Sequence, residues 1–173
     1  MAMNFEKWTV KATEALQEAQ NLASQYSHQE IDVEHLALAL LQQSEGTTRP
    51  LLQKLEVNLD SLERELSQEL ARRPKQQGVE HGRMLSTRLA GNNRDGNGGV
   101  LGQAQQAMGQ LKDEYLSCEH LLIGVAHDKG FAGGVFSINP YDSFCIAFAQ
   151  VYPAIGEVEL YAINGIDLRI GEE

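Results

Sequence analysis

The sequence predicts a mainly α-helical fold made of two copies of one small helical unit, closed by a short β-hairpin, and three observations support it. First, Ile31-Asp32-Val33-Glu34-His35-Leu36 recurs as Leu116-Ser117-Cys118-Glu119-His120-Leu121. Each is an apolar residue, an N-cap residue, one open position and then Glu-His-Leu leading an apolar run, a pattern too specific to recur by chance. Second, Trp8-Thr9-Val10-Lys11 parallels Leu85-Ser86-Thr87-Arg88, and Ala15-Leu16-Gln17-Glu18-Ala19-Gln20 parallels Val100-Leu101-Gly102-Gln103-Ala104-Gln105, once Asn92 to Gly99 is taken as an insertion. Third, after Gly133 the texture changes. Val158, Leu160 and Ala162 alternate with more polar neighbours, Asn164-Gly165 is a type I′ turn signal, and Ile166, Leu168 and Ile170 alternate again.

Thr9 caps a first helix running to about Ser27, with Ala12, Ala15, Leu16, Ala19, Leu22, Ala23 and Tyr26 recurring at three- and four-residue steps to make one stripe. Asp32 caps a second helix through Leu41, apolar on most sides and so expected at the centre of a bundle. Pro50 near a helix start introduces Leu51, Leu52 and Leu55 as a short third helix, and Asn58 caps a fourth that carries Leu59, Leu62, Leu66 and Leu70. Pro74 and Gly78 end it. The polar stretch from about Arg73 to Gly82 reads as a linker. In the second copy, Gly and Asn residues from 92 to 99 cannot hold helical geometry cheaply, so an exposed loop is expected there. These limits give repeat one as 1–75, a linker as 76–84, a partial repeat two as 85–133 with the inserted loop 92–99, and a β-like tail as 134–173. Phe144 to Ala149 is short enough to be a strand or a helix turn.

Composition narrows the function. The formal net charge of −10 repels a phosphate backbone, which argues against a nucleic-acid partner. No apolar run approaches the roughly 20 residues a membrane helix needs, and no signal-peptide pattern opens the chain, so a soluble cytoplasmic protein is expected with no membrane partner. Cys118 and Cys145 lack the paired spacing of a zinc or redox motif and read as buried thiols.

With these motifs in place, the chain resembles the N-terminal domain of the Clp family of AAA+ chaperones, most closely the ClpB-type protein disaggregases. The resemblance rests on Phe5 to Lys75, including Pro50-Leu51-Leu52 and Leu70-Ala71-Arg72-Arg73-Pro74, and on Met84 to about Gly133 without the insertion, roughly two-thirds of the chain. It implies a duplicated Clp N-type repeat packed about a pseudo-twofold axis and tethered to an ATPase ring. The function it implies is non-catalytic capture of unfolded or aggregated polypeptides for delivery to that ring, or alternatively docking of an adaptor protein. It also implies a monomer for this chain and a hexamer for a full-length relative, because assembly runs through ATPase modules. No cofactor is implied.

The same resemblance places substrate handling at Thr9, Asp113 and Glu119, a hydroxyl and two carboxylates suited to backbone N–H groups or basic side chains. Leu101 matches an apolar position of the family's substrate groove. Gln103, Ala107 and His120 stand where relatives carry larger apolar groups. Thr9 is also a helix cap, and Glu119 sits in a first helical turn where the dipole favours an acid. If the tail replaces the closing helices of repeat two, Leu116, Leu121, Leu122 and Val125 are left uncovered unless the tail packs over them.

Other chemistry has little support. No Walker A sequence or GxGxxG can be written over the chain, so no nucleotide turnover is expected of it. His28, Glu34, His35, Glu119 and His120 are ligand types, but HExxH is absent and adjacent Glu-His residues diverge by about 100° on a helix. Structural histidines near helix starts are the expectation. Cys118 and His120, at i and i+2, do not face each other as a nucleophile pair would.

Overall fold

The computed structural model describes residues 5–54, 57–76, 83–91, 98–128, 130 and 132. A 3₁₀ turn at Phe5–Lys7 leads into α1 (Val10–Gln25), followed by a two-residue strand β1 (Glu30–Ile31), α2 (Val33–Gln42), α3 (Thr48–Lys54) and α4 (Leu59–Arg72). Then come β2 (Met84–Leu85), α5 (Thr87–Ala90), α6 (Gly99–Leu111) and α7 (Cys118–His127). The fold is mainly helical, as the sequence indicates, with one small sheet that the sequence pattern does not foretell.

Local chemistry sets the helix starts. Thr9 Oγ1 accepts from Ala12 N–H at 3.2 Å, Asn58 Oδ1 from Ser61 N–H at 3.0 Å and Ser86 Oγ from Leu89 N–H at 3.2 Å, each satisfying a donor that the first turn leaves without a partner. The stripe of α1 buries Ala12, Ala15, Ala19, Leu22 and Ala23, and those small side chains let its backbone approach α2 closely. Helix α2 is buried at every position from Val33 to Leu41, as expected of the bundle's centre. Helix α4 buries only Leu59, Leu62, Leu66 and Leu70.

The second copy breaks where the Gly and Asn run falls. Its counterpart of α1 is divided into α5 and α6, with Gly91 (φ 78°) ending the first and Gly99 (φ 61°) opening the second. A Cβ on Gly99 would lie 2.6 Å from the Arg88 carbonyl oxygen, so the two helix ends meet through backbone that only glycine permits. Helix α7 packs chiefly on α6 and also touches α2, α1 and α3. Leu116, Leu121, Leu122 and Val125 are all buried, so the apolar faces that a missing partner would expose are covered. The anticipated hairpin about Asn164-Gly165 and the segment from Phe144 to Ala149 lie outside the described residues. Among the described residues, no helix is long and apolar enough to cross a membrane.

Two short parallel pairings stitch the copies together crosswise. Ile31 pairs with Leu85, and Trp8 forms an isolated parallel bridge with Leu116. Ser86 N–H donates to the Ile31 carbonyl at 2.9 Å, and Thr9 N–H donates to the Leu116 carbonyl at 2.9 Å. Thr9 corresponds to Ser86 in the duplicated sequence, and Ile31 to Leu116. Each copy's first cap therefore docks on the residue ahead of the other copy's second cap, which is how a twofold exchange looks at the level of single hydrogen bonds.

Candidate functional site

The repeated Glu-His-Leu start has the same backbone chemistry in both copies. Asp32 N–H donates to His35 Nδ1 at 2.9 Å, and Ser117 N–H donates to His120 Nδ1 at 2.9 Å. Histidine thus fills the third helical position of a capping box where Glu or Gln is usual. Both rings are buried, which accounts for them as structural groups. Among the described residues, no three His, Cys, Asp or Glu side chains are grouped to hold a metal ion.

The two glutamates of the motif differ sharply. Glu34 is 0% exposed and held by two guanidinium groups, Arg73 at 2.7 Å and Arg88 at 2.9 Å. Arg73 and Arg88 also reach Asp32 at 2.8 and 3.0 Å, and Arg88 reaches Asp128 at 2.5 Å. Burial alone would raise the Asp32 carboxyl, but hydrogen bonds from Ser86 and Val33 and the arginine charges outweigh it and hold it below the ordinary value. In the second copy, Glu119 is half-buried and receives hydroxyl hydrogen bonds from Ser117 and Thr47. Burial again pulls upward, and those hydroxyls with its own N–H prevail, leaving Glu119 below the usual carboxylate range.

Thr9 is half-buried and ties α1 to Leu116, just ahead of the turn that carries Glu119. Asp113 follows α6 at the surface and its Oδ2 lies 2.9 Å from His120 Nε2. Thr9, Asp113 and Glu119 are therefore collected around one crossing, at the start of α7. Leu101, expected on a groove wall, is instead 3% exposed within the core, because it lies on the face of α6 turned inward. In this conformation it supplies packing and no contact surface.

Three further residues at the same crossing escape the sequence pattern. Val10 is 74% exposed beside Thr9, Tyr115 is exposed beside Leu116, and Phe5 is exposed with its ring tilted against Trp8 at 5.1 Å. Val10 falls off the apolar stripe of α1, and that misfit is the available signal. Thr47, whose hydroxyl serves Glu119, gives no signal, since it lies in a loop far along the chain. The crossing thus combines apolar area, a hydroxyl and ionised carboxylates, which suits non-covalent recognition of polypeptide. It offers no nucleophile. Cys118 is buried and bonded to Gln43 at 3.4 Å, and burial, aided by the Glu119 charge, pushes its thiol up to about 11.

Comparison with known proteins gives a consistent picture. Residues 7–137 match the Clp repeat (R) N-terminal domain family. Over 131 residues, 76% of the chain, the sequence is 34% identical to the chaperone protein ClpB of Meiothermus ruber, and that stretch is 14% of the relative. Over 122 residues, 69% of the chain, it is 39% identical to ClpB of Nitratidesulfovibrio vulgaris, covering 13% of that protein. The chain therefore spans a small fraction of the length of these relatives. In fold, it is similar to the crystal structure of the Hsp104 N-terminal domain from Candida albicans, with a TM-score of 0.63 at 19% identity, covering 96% of this chain and 94% of that one.

Proposed function

Since this chain belongs to the Clp repeat N-terminal domain family, an accessory domain of AAA+ chaperones, we propose that it is a non-catalytic substrate-recognition domain. In this reading it binds unfolded or aggregated polypeptides and passes them to an ATPase ring in the cytoplasm. Residues 1–75 and 85–133 act as the two repeats and 76–84 as their link, and the isolated chain is a monomer. Thr9, Asp113 and Glu119 make the polar contacts, with Val10, Tyr115 and Phe5 adding apolar area.

The observation that supports the reading is the hydrogen bond from Thr9 to Leu116, which sets the Thr9 cap and exposed Val10 beside the segment that carries exposed Tyr115 and leads into Glu119. Backbone N–H groups and basic side chains of a captured segment meet the carboxylates, and its apolar side chains meet Tyr115 and Val10.

Glu119→Gln is expected to weaken capture of an aggregated model protein about tenfold, the scale of one lost charge-assisted hydrogen bond. Thr9→Ala should weaken it as well, while Thr9→Ser, which keeps both cap and hydroxyl, should not. Binding measured by fluorescence anisotropy, with circular dichroism to verify helix content, checks this, and unchanged capture by Glu119→Gln removes the site. Because Glu119 stays ionised well into acid, its contribution should hold from neutral pH down to about pH 5 and fade only as the carboxylate protonates below its ordinary value of 4.5. A single folded protein bound stoichiometrically, in place of many unfolded chains, would point to adaptor docking.

A further inference from the structure

His35 and His120 occupy the same capping position, yet their second ring nitrogens meet opposite chemistry. His120 Nε2 lies 2.9 Å from the Asp113 carboxylate, and Ser117 Oγ sits 3.1 Å from its Nδ1. His35 Nε2 instead lies 2.8 Å from Nδ1 of a second buried imidazole, His28. Because His35 Nδ1 accepts from Asp32 N–H, its proton resides on Nε2 and is donated to His28 Nδ1. The His28 proton must then sit on Nε2, which is turned to the Leu70 carbonyl but short of a well-formed hydrogen bond. Every acceptor nitrogen in the pair is occupied. A further proton sets donor against donor, either between the rings or at Asp32 N–H.

The surrounding charges add to this. Arg73, Lys75 and Arg83 act against a charged His28, Arg73 acts against a charged His35, and Asp32 alone favours it. Glu30 lines a cavity of about 350 Å³ together with His28, Asp32, His35, Arg73 and Lys75.

His28 belongs to the turn that anchors the connection between the copies. Its carbonyl accepts from Arg83 Nε at 2.7 Å, and the neighbouring Ser27 carbonyl, in a left-handed residue at φ 58°, accepts from Gln76 N–H at 2.8 Å. The Ile31–Leu85 pairing comes directly after it. We propose that the His28–His35 pair is an acid-operated latch: neutral, it fixes the turn to which Gln76 and Arg83 are pinned, and protonated, it releases that joint while the Thr9–Leu116 crossing stays closed.

Amide hydrogen exchange on the full chain tests this, after correction for the pH dependence of intrinsic exchange. Burial, with His28 and Arg73, lowers His35 to about 4 against about 6.5 when exposed, so opening at pH 5 is favoured about 20-fold more than at pH 7. Protection at Gln76 and Ser86 should fall by about that factor between pH 7 and 5, while Thr9, bonded at the twin crossing, changes less than about twofold. His28→Gln, which can still accept from His35 Nε2 but takes away the second imidazole and its charge, should diminish the fall. Equal losses at Thr9, or an undiminished loss in His28→Gln, would overturn the latch. If that variant does not fold, imidazole titration of the natural chain by NMR decides: both rings charging near their ordinary value with protection unchanged would also overturn it.

Discussion

Arg88→Ala is expected to cost about 3 kcal/mol of unfolding free energy, the low end of the range for removing one partner of a buried ion pair. The loss is large because Arg88 serves three carboxylates, Asp32, Glu34 and Asp128, which sit at the starts and ends of different helices. Glu34 is wholly buried, so its charge cannot turn to water, and Arg73 alone would be left to neutralise it and Asp32. Arg88 is itself 34% exposed, and solvent screening keeps the figure from the upper end of the range. Arg88→Lys should recover only part of the loss, since one ammonium cannot span the separate directions in which the guanidinium donates. Urea denaturation of the three proteins measures this, and a cost below about 1 kcal/mol for Arg88→Ala would mean the network contributes little.

The second large effect is expected at Gly124. A Cβ there would press into the Val100 carbonyl oxygen and lie 3.1 Å from Val100 Cγ1, where α6 and α7 meet in the tightest helix pair of the second copy. Gly124→Ala should therefore cost about 2 kcal/mol, as overpacking typically does, by forcing the helices apart. The duplication supplies a rescue. The corresponding residues in the first copy are Ala15 and Ala39, both fully buried, so repeat one divides the space evenly where repeat two sets a valine against a glycine. Val100→Ala combined with Gly124→Ala should regain only the part of the loss that Val100 Cγ1 causes, since the carbonyl stays in place, a coupling that thermal denaturation of the double-mutant cycle reveals. Simple addition of the two single costs would show that the residues do not share that space.

Most helix starts are legible in the sequence because capping is decided within a few residues. Thr9, Asp32, Asn58 and Ser86 can each be named from a side-chain oxygen placed just ahead of an apolar periodicity. The Gly and Asn run is equally readable as a helix break, since its residues oppose helical geometry by themselves. The pairing of β1 with β2 is not, because two residues are too few to express an alternation. Leu101 is legible as apolar but not as buried, since the direction a helix face takes depends on what packs against it. The candidate site is reached through family resemblance at Thr9, Asp113 and Glu119, whereas Thr47 and Tyr115 come to it only through folding.

The amino-acid order alone thus determined the duplication, the main helices and the equivalence of Glu34 with Glu119, because gene-level repetition and helical periodicity are written along the chain. Tertiary structure decided that these equivalent glutamates lead different lives, one closed off by Arg73 and Arg88 and the other half-open at the junction of the repeats. Arg73 lies 41 positions from Asp32, and Arg88 lies 54 from Glu34. Charges so far apart in sequence find each other only when the packed helices have already fixed where every side chain ends.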